Sequence, residues 1–125
     1  MAMGSDIKIK TWKDIEKIYP HFKDDIDKLE RNVLYISDRL REKLIATYKI
    51  EKLIEHAYGG KITSEEWRNR DKVKYYIADD EYDEFDIYST YNKNLTDFIC
   101  FHTRQQAIDF LFYPENRQLV KQYYI

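Results

Sequence analysis

The chain has 125 residues, 16% of them aromatic with 12 tyrosines, and a formal net charge of -2. Residues 1–74 carry 17 Lys/Arg against 14 Asp/Glu and residues 75–125 carry 4 against 9, which excludes a generally basic nucleic-acid-binding protein. A single cysteine excludes an internal disulfide, and no apolar run approaches the roughly 20 residues of a membrane-spanning helix. We therefore expect one cytoplasmic α+β domain over residues 6–125, with residues 1–5 as an expression-tag remnant.

The first half of the chain is predicted to be helical. Thr11 fits the N-cap of a short helix that Pro20 ends. From Asp24 the apolar residues recur at spacings of three and four, which indicates a second, amphipathic helix. The apolar stripe then shifts to another face, and Ser37 fits an N-cap, so we expect two helices joined near this residue rather than one bent helix. Gly59 and the glycine after it end the later helix.

Three segments in the second half are predicted strands. Residues 72–78 and 85–91 alternate in polarity, as strands with one buried face do. Residues 98–101 are apolar at every position, which is typical of a strand covered on both faces. Connected in chain order these strands form an antiparallel meander, which places residues 85–91 in the middle. Trp67, just before the first strand, is expected to cover the core.

Two capping boxes mark helix starts around this sheet. Thr63 with Glu66 opens a single helical turn before the first strand, and Thr103 with Gln106 opens a helix directly after the third. That helix ends before Pro114, and a short terminal helix follows. These elements predict an α+β fold in which N-terminal helices pack on a three-stranded antiparallel sheet, followed by a C-terminal helix and a short terminal helix.

The residue types that carry catalysis or bind metals are sparse. Cys100 lies in the most apolar strand, where a thiol behaves as a small hydrophobe. His102 points to the same face of that strand but stands more than a hydrogen-bond length away along it. His56 beside Glu55 has no second histidine or cysteine at ligand spacing. We therefore expect no enzymatic activity, no metal site and no cofactor.

An acidic loop connects the first two strands and carries one tyrosine. Its carboxylates alternate like those of a calcium loop, but Glu84 stands where the sharp turn requires glycine, so an EF-hand is excluded. The loop is either a solvated hairpin tip or a surface offered to a basic partner. We expect it to bind a macromolecule, in the first place a protein. The predicted partner-binding residues are Asp79, Asp80, Glu81, Tyr82, Asp83, Glu84 and Asp86.

Two other functions are left open by the residues. A homo-oligomeric structural component, held together by the tyrosine-rich sheet edge, would have a mass above 15.3 kDa in solution. A nucleic-acid-binding module would bind with an affinity that falls steeply with salt. The residues predicted for nucleic-acid binding are Arg39, Arg41, Lys43, Lys49, Lys52, Arg68, Arg70, Lys72 and Lys74.

The order of segments from Arg39 to Tyr124 resembles a group of small uncharacterised proteins of phages, prophages and mobile elements of gut Bacteroidetes. The resemblance is carried by RLREKLIATYKIEKLIEHAYGG, a tryptophan-bearing turn, KYYIA and FICFHTRQQAIDFLF. The chain departs from that group in the position of Trp67, which is separated from the glycines, and in His102, which replaces a lysine. The resemblance implies a phage or mobile-element protein that acts in a bacterial host cell by binding a host protein, with inhibition of a host or defence factor as one outcome. It implies no catalytic residue.

Overall fold

The computed structural model describes residues 8–31, 37–69, 71–79, 85–90 and 99–124. Within these ranges the chain forms six helices and a three-stranded antiparallel sheet, which confirms the predicted α+β fold. None of the helices found there is long and apolar enough to cross a membrane. The helices are α1 (Trp12–Ile18), α2 (His21–Arg31), α3 (Asp38–Ala57), α4 (Ser64–Arg68), α5 (Arg104–Leu111) and α6 (Pro114–Tyr123), and the strands are β1 (Lys74–Asp79), β2 (Phe85–Thr90) and β3 (Cys100–Phe101).

Local hydrogen bonds start the first and third helices where the sequence predicts. The Asp14 carboxylate accepts a hydrogen bond from the backbone N–H of Thr11 at 3.1 Å. At the start of α3, the Ser37 hydroxyl accepts from the N–H of Leu40 at 3.2 Å. Ser37 has an extended backbone with ψ of 155°, so helical geometry is interrupted there. The prediction of two separate helices in this region is confirmed.

The end of α3 and the start of α5 meet at two glycines. Gly59 and Gly60 have φ values of +95° and +83°, a conformation that other residues rarely adopt. The Gln106 side chain lies against Gly59, in the space that a Cβ atom would fill. The same side chain accepts a hydrogen bond from the Thr103 N–H at 3.0 Å, which completes the capping box of α5. A glycine therefore ends one helix and makes room for the cap of another.

The core lies between the sheet and the helices α3, α5 and α6. The rings of Phe101 and Phe110 have their centroids 5.5 Å apart in its centre. Each large apolar side chain that is fully buried here contributes about 1.5–3 kcal/mol to stability. The predicted terminal helix α6 is part of this core rather than a loose end. Completely buried apolar side chains come from all these elements: Leu53 in α3, Ile77 in β1, Phe101 in β3, Phe110 in α5 and Val120 in α6.

The strand order is β2-β1-β3, so the predicted meander is wrong. β1 pairs along its length with β2 on one side, and on the other side Tyr75 pairs with Phe101 of β3. The alternation of a strand indicates its buried face but not the neighbour on each edge. Beside β1, Phe101 is completely buried against α5, whereas β2 exposes Asp86 and Tyr88. β1 is therefore the central strand, with the buried β3 and the partly exposed β2 at the two edges.

A buried asparagine fastens the N-terminal segment to the core. Asn116 in α6 is completely buried, and its Nδ2 donates to the carbonyl oxygens of Lys10 at 2.8 Å and Phe110 at 3.1 Å. The Tyr58 hydroxyl also donates to the Lys10 carbonyl, at 2.6 Å. Burial raises the pKa of Tyr58 to about 12. One side chain thus connects the segment before α1, the end of α5 and α6.

Candidate functional site

At the β2 edge, one face of the sheet carries a pair of tyrosines. Tyr76 of β1 lies opposite Tyr88 of β2 in the ladder, so both side chains are on the face opposite to Ile77. Their ring centroids are 5.6 Å apart with planes inclined by 30°. Tyr88 keeps 47% of its surface exposed, and Asp86, two residues earlier on the same face, is also exposed. We call Tyr76, Tyr88 and Asp86 the tyrosine face.

The predicted partner-binding residues border this face. Residues 80–84, the centre of the predicted acidic loop, lie outside the described residues. Asp79 ends β1, where its backbone pairs with Phe85, and Asp86 lies in β2. Tyr88 is absent from the predicted set although it lies on the same face as Asp86. The period-two alternation of β2 is the signal that could have added it.

A network of polar side chains holds α4 against the end of the sheet. Glu66 accepts a hydrogen bond from the Thr63 N–H at 3.1 Å, as the capping box predicts. Its other oxygen forms an ion pair with Lys72 and lies 3.0 Å from Nε2 of His102. The bond to Lys72, helped by the Thr63 and His102 contacts, lowers the pKa of Glu66 to about 2. Glu66 therefore joins α4 to residues at the ends of two strands.

Lys74 occupies an unusual position for a lysine. Its side chain is completely buried, its Nζ donates to the Asn69 carbonyl at 2.8 Å, and the ammonium lies 5.7 Å from the centroid of the Trp67 ring. In the described part of the chain no carboxylate lies within ion-pair distance of it. Lys74, one of the residues predicted for nucleic-acid binding, is therefore buried in this structure rather than exposed on a basic surface.

Next to this lysine is a cleft of about 620 Å³ between α3, α4, β3 and α6. Trp67 forms one wall, as a cover that is half-buried rather than sealed into the core. Cys100 also lines the cleft, and burial raises the pKa of its thiol to about 12, an effect that the charge of Lys74 opposes. At neutral pH this thiol is protonated and acts as apolar lining. The other apolar lining residues are Ile50, Ile54, Ile62, Ile99 and Tyr123.

The rim of the cleft is charged, and its charges are unequally compensated. Nζ of Lys61 lies 3.2 Å from a Glu55 carboxylate oxygen and 3.8 Å from one of Glu51. Lys43 lies 5.5 Å from the centroid of the Tyr123 ring, and none of the described carboxylates is within ion-pair distance of its ammonium. Among the residues that the structure describes, Lys43 is therefore the rim cation without an ion-pair partner, above an apolar floor.

The basic residues predicted for nucleic-acid binding do not share one face. On α3, Lys49 lies over the Trp12 ring at 5.7 Å, on the side of α1, whereas Lys43 lies over Tyr123 on the side of α6. Lys52 is 3.2 Å from Glu55. Phosphate binding requires several cations directed to one side, and these lysines are divided between two sides of a helix.

The other residues predicted for nucleic-acid binding are either in ion pairs, exposed at helix ends or outside the described residues. Arg41 and Lys72 are in ion pairs with Asp38 and Glu66. Exposed side chains are found at Arg39, at the start of α3, and at Arg68, at the end of α4, whereas Arg70 lies outside the described residues. No single basic surface therefore arises from the predicted residues that the structure describes.

Metal binding has no support from the described part of the chain, which contains no group of three or more His, Cys, Asp or Glu that could hold an ion. His56 lies 3.9 Å from Glu55 and its ring is 4.6 Å from that of Tyr19. Its surroundings are those of a side chain packed on a helix surface.

Comparison of the chain with protein-family models, with curated proteins and with solved structures found no significant match. Function is therefore inferred from the residues and the geometry of this chain.

Proposed function

We propose that this protein is a non-enzymatic binding protein that recognises a partner protein through residues 79–86 and the tyrosine face. The observation that carries the proposal is the exposed Tyr88, whose ring lies 5.6 Å from that of the half-buried Tyr76, with Asp86 beside it. Tyrosine offers a large apolar surface and a hydroxyl at low entropic cost, and is enriched in protein interfaces. An exposed tyrosine that already packs on a neighbouring ring is well suited to anchor a partner.

The charge around this face favours a basic partner. Residues 75–125 carry 9 acidic against 4 basic side chains, and five of the acidic residues lie in residues 79–84. Opposite charge on a partner would accelerate association and exclude acidic competitors. We therefore expect the rate of complex formation to fall as salt is added, with a smaller effect on the lifetime of the complex.

Recognition would depend on side chains more than on strand addition. β2 is an edge strand, and edge strands can pair with a segment of another chain. Here the Arg104 side chain donates to the Ile87 carbonyl at 3.2 Å, so part of the backbone of β2 is already occupied. The tyrosine face, not the backbone edge, is the surface offered to a partner.

The resemblance to proteins of phages and mobile elements supports a host protein as the partner and the cytoplasm of a bacterial cell as the location. In that setting a small binding protein acts by occupying a surface of a host or defence factor. Inhibition of that factor is the expected consequence.

The experiment that tests this function is capture of partners from bacterial lysate by the purified protein, with and without nuclease. We expect one nuclease-resistant protein to be retained by the wild type and lost from a charge-reversed hairpin variant. A control variant with three reversed carboxylates on exposed positions of α2 and α3 should retain it, and both variants should keep the wild-type melting temperature. The hairpin variant is D80K/E81K/D83K, and the control is D24K/E30K/E42K.

Other outcomes would contradict the proposal. Retention of the same protein by the hairpin variant would place the interface elsewhere. Recovery of nucleic acid alone, with an affinity that falls steeply with salt, would indicate a nucleic-acid-binding module. A homo-oligomer of the 15.3 kDa chain with no partner would indicate a structural component.

A further inference from the structure

The cleft between α3, α4, β3 and α6 has the dimensions and lining of a small-molecule site. Its volume of about 620 Å³ falls within the range of roughly 300–1,000 Å³ that is usual for such sites. Aliphatic side chains, including Ile54 and Ile99, and the ring of Trp67 offer an apolar surface. Water on such a surface is readily displaced by an apolar ligand, which is favourable by about 25 cal/mol for each Å² removed from water.

The charges near the cleft indicate which charge a ligand would carry. Lys43 on the rim has no carboxylate within ion-pair distance in the described ranges, and the completely buried Lys74 behind Trp67 has none either. A buried ammonium without a counter-ion is costly, because its lost hydration is not replaced by an opposite charge. These two cations, Lys43 on the rim and Lys74 beside the Trp67 ring, make the cleft electrostatically favourable for an anion.

We propose that this cleft binds a small amphipathic anion, in which one acidic group meets Lys43 and an aromatic or aliphatic body lies against Ile54, Ile99 and Trp67. Lys61 contributes little to this recognition, since Glu51 and Glu55 already compensate it. The carboxylate of Glu51 on the same rim would repel a second acidic group, so a ligand with a single negative charge is favoured.

The cleft site and the proposed protein interface use different side chains. The lining of the cleft comes from α3, α6, the α4 region and β3, whereas the proposed protein interface uses β2, Tyr76 and Asp79 of β1 and residues 80–84; the two adjoin where Tyr76 pairs with Cys100. The D80K/E81K/D83K variant should therefore bind the anion like the wild type. In this variant, loss of partner capture with unchanged anion binding supports both proposals. Retained capture would contradict only the protein interface, and weakened anion binding would contradict only the proposed cleft site.

The test uses 8-anilinonaphthalene-1-sulfonate, an aromatic monoanion whose fluorescence rises in an apolar site. We expect one saturable site for each chain, displaced by decanoate and not by decan-1-ol at the same concentration. Lys43→Gln should weaken binding by about fivefold, since an incompletely buried charge pair contributes up to about 1 kcal/mol. Lys49→Gln is the matched control, because Lys49 lies on the same helix over another aromatic ring, that of Trp12.

Several results would overturn the proposal. Equal affinity in the Lys43→Gln and Lys49→Gln variants would exclude Lys43 from the site, and equal displacement by decan-1-ol would exclude recognition of charge. Binding of many dye molecules without saturation would indicate non-specific adsorption. Displacement by a peptide with a free C-terminal leucine, but not by decanoate, would make the occupant a protein terminus instead of a small molecule.

Discussion

Replacement of Asn116 by aspartate tests how the N-terminal segment is fastened to the core. The substitution keeps the shape of the side chain but exchanges an NH2 donor for an oxygen. Nδ2 of Asn116 donates to the carbonyl oxygens of Lys10 and Phe110 and lies 3.3 Å from the Tyr58 hydroxyl. A carboxylate at this completely buried position would place negative charge against two carbonyl oxygens.

The magnitude and its pH dependence follow from this environment. Burial and the neighbouring carbonyl oxygens raise the folded-state pKa of the introduced carboxyl above its unfolded value of about 3.9. The folded state then binds more protons than the unfolded state, so stability falls as pH rises from about 4 toward the folded pKa. Below pH 4 we expect the variant to lose about 1–2 kcal/mol of unfolding free energy, because the hydrogen-bond donor is missing. At pH 7 the loss should reach about 3–5 kcal/mol, as for a buried charge without a partner.

The assay is urea unfolding of wild type and Asn116→Asp at several pH values between 3 and 8. Asn69→Asp makes the same chemical change at an exposed position, where the Asn69 side-chain oxygen already accepts from the Asp71 N–H at 2.9 Å. We expect this control to change stability by less than about 0.5 kcal/mol. A loss below about 1 kcal/mol at pH 7, or a pH profile parallel to that of the wild type, would refute the role assigned to Asn116.

Three further predictions concern the α3 terminus, α4 and the cleft. Gly59→Ala and Gly60→Ala should each lower the free energy of unfolding in urea by about 1–2 kcal/mol, because alanine is strained at a positive φ. Gly59→Ala should lose at least about 1 kcal/mol more, because only its new methyl group displaces Gln106. Equal losses in the two variants would contradict the close contact between Gly59 and Gln106. The low pKa of Glu66 contributes stability that is present above its unfolded value of about 4.5 and is lost as pH falls toward about 2. In Glu66→Gln, the loss of unfolding free energy between neutral and acidic pH should be smaller than in the wild type by about 1 kcal/mol. An acid unfolding profile equal to that of the wild type would show that the ion pair with Lys72 does not stabilise the fold. Cys100, which is buried with a raised pKa, should react with a thiol reagent much more slowly in the native protein than after unfolding in urea, and equal rates would contradict the burial of the thiol.

The starts and ends of the helices were predictable because they depend on residues close together in the chain. Ser37 and Thr103 each accept a hydrogen bond from a backbone N–H three residues later. Gly59 ends α3 in a conformation that few other residues adopt. Contacts of this kind are encoded within a few positions, so the residue types alone are sufficient to indicate them.

The proposed binding surfaces were predictable only in part. The alternation of β2 places Asp86 on an outward face, and the acidic composition of the loop is visible in the sequence. That the Tyr88 ring packs beside that of Tyr76 depends on the register between β1 and β2, which alternation leaves open by steps of two residues. The tyrosine face therefore emerges only when the two strands are paired.

Composition, periodicity and capping residues by themselves determined the fold class and the places where most helices begin and end. The tertiary structure alone decided the strand order, the burial of Lys74 and the cleft whose lining includes Lys43, Trp67 and Ile99. Lysine is ordinarily a surface residue, and only the packing of Trp67 and the Asn69 carbonyl around Lys74 removes it from water. The physical reason for this difference is how far apart in the sequence the interacting residues are. Hydrogen bonds within one turn act between near neighbours in sequence, whereas strand order and clefts arise from contacts between segments that are far apart in the chain.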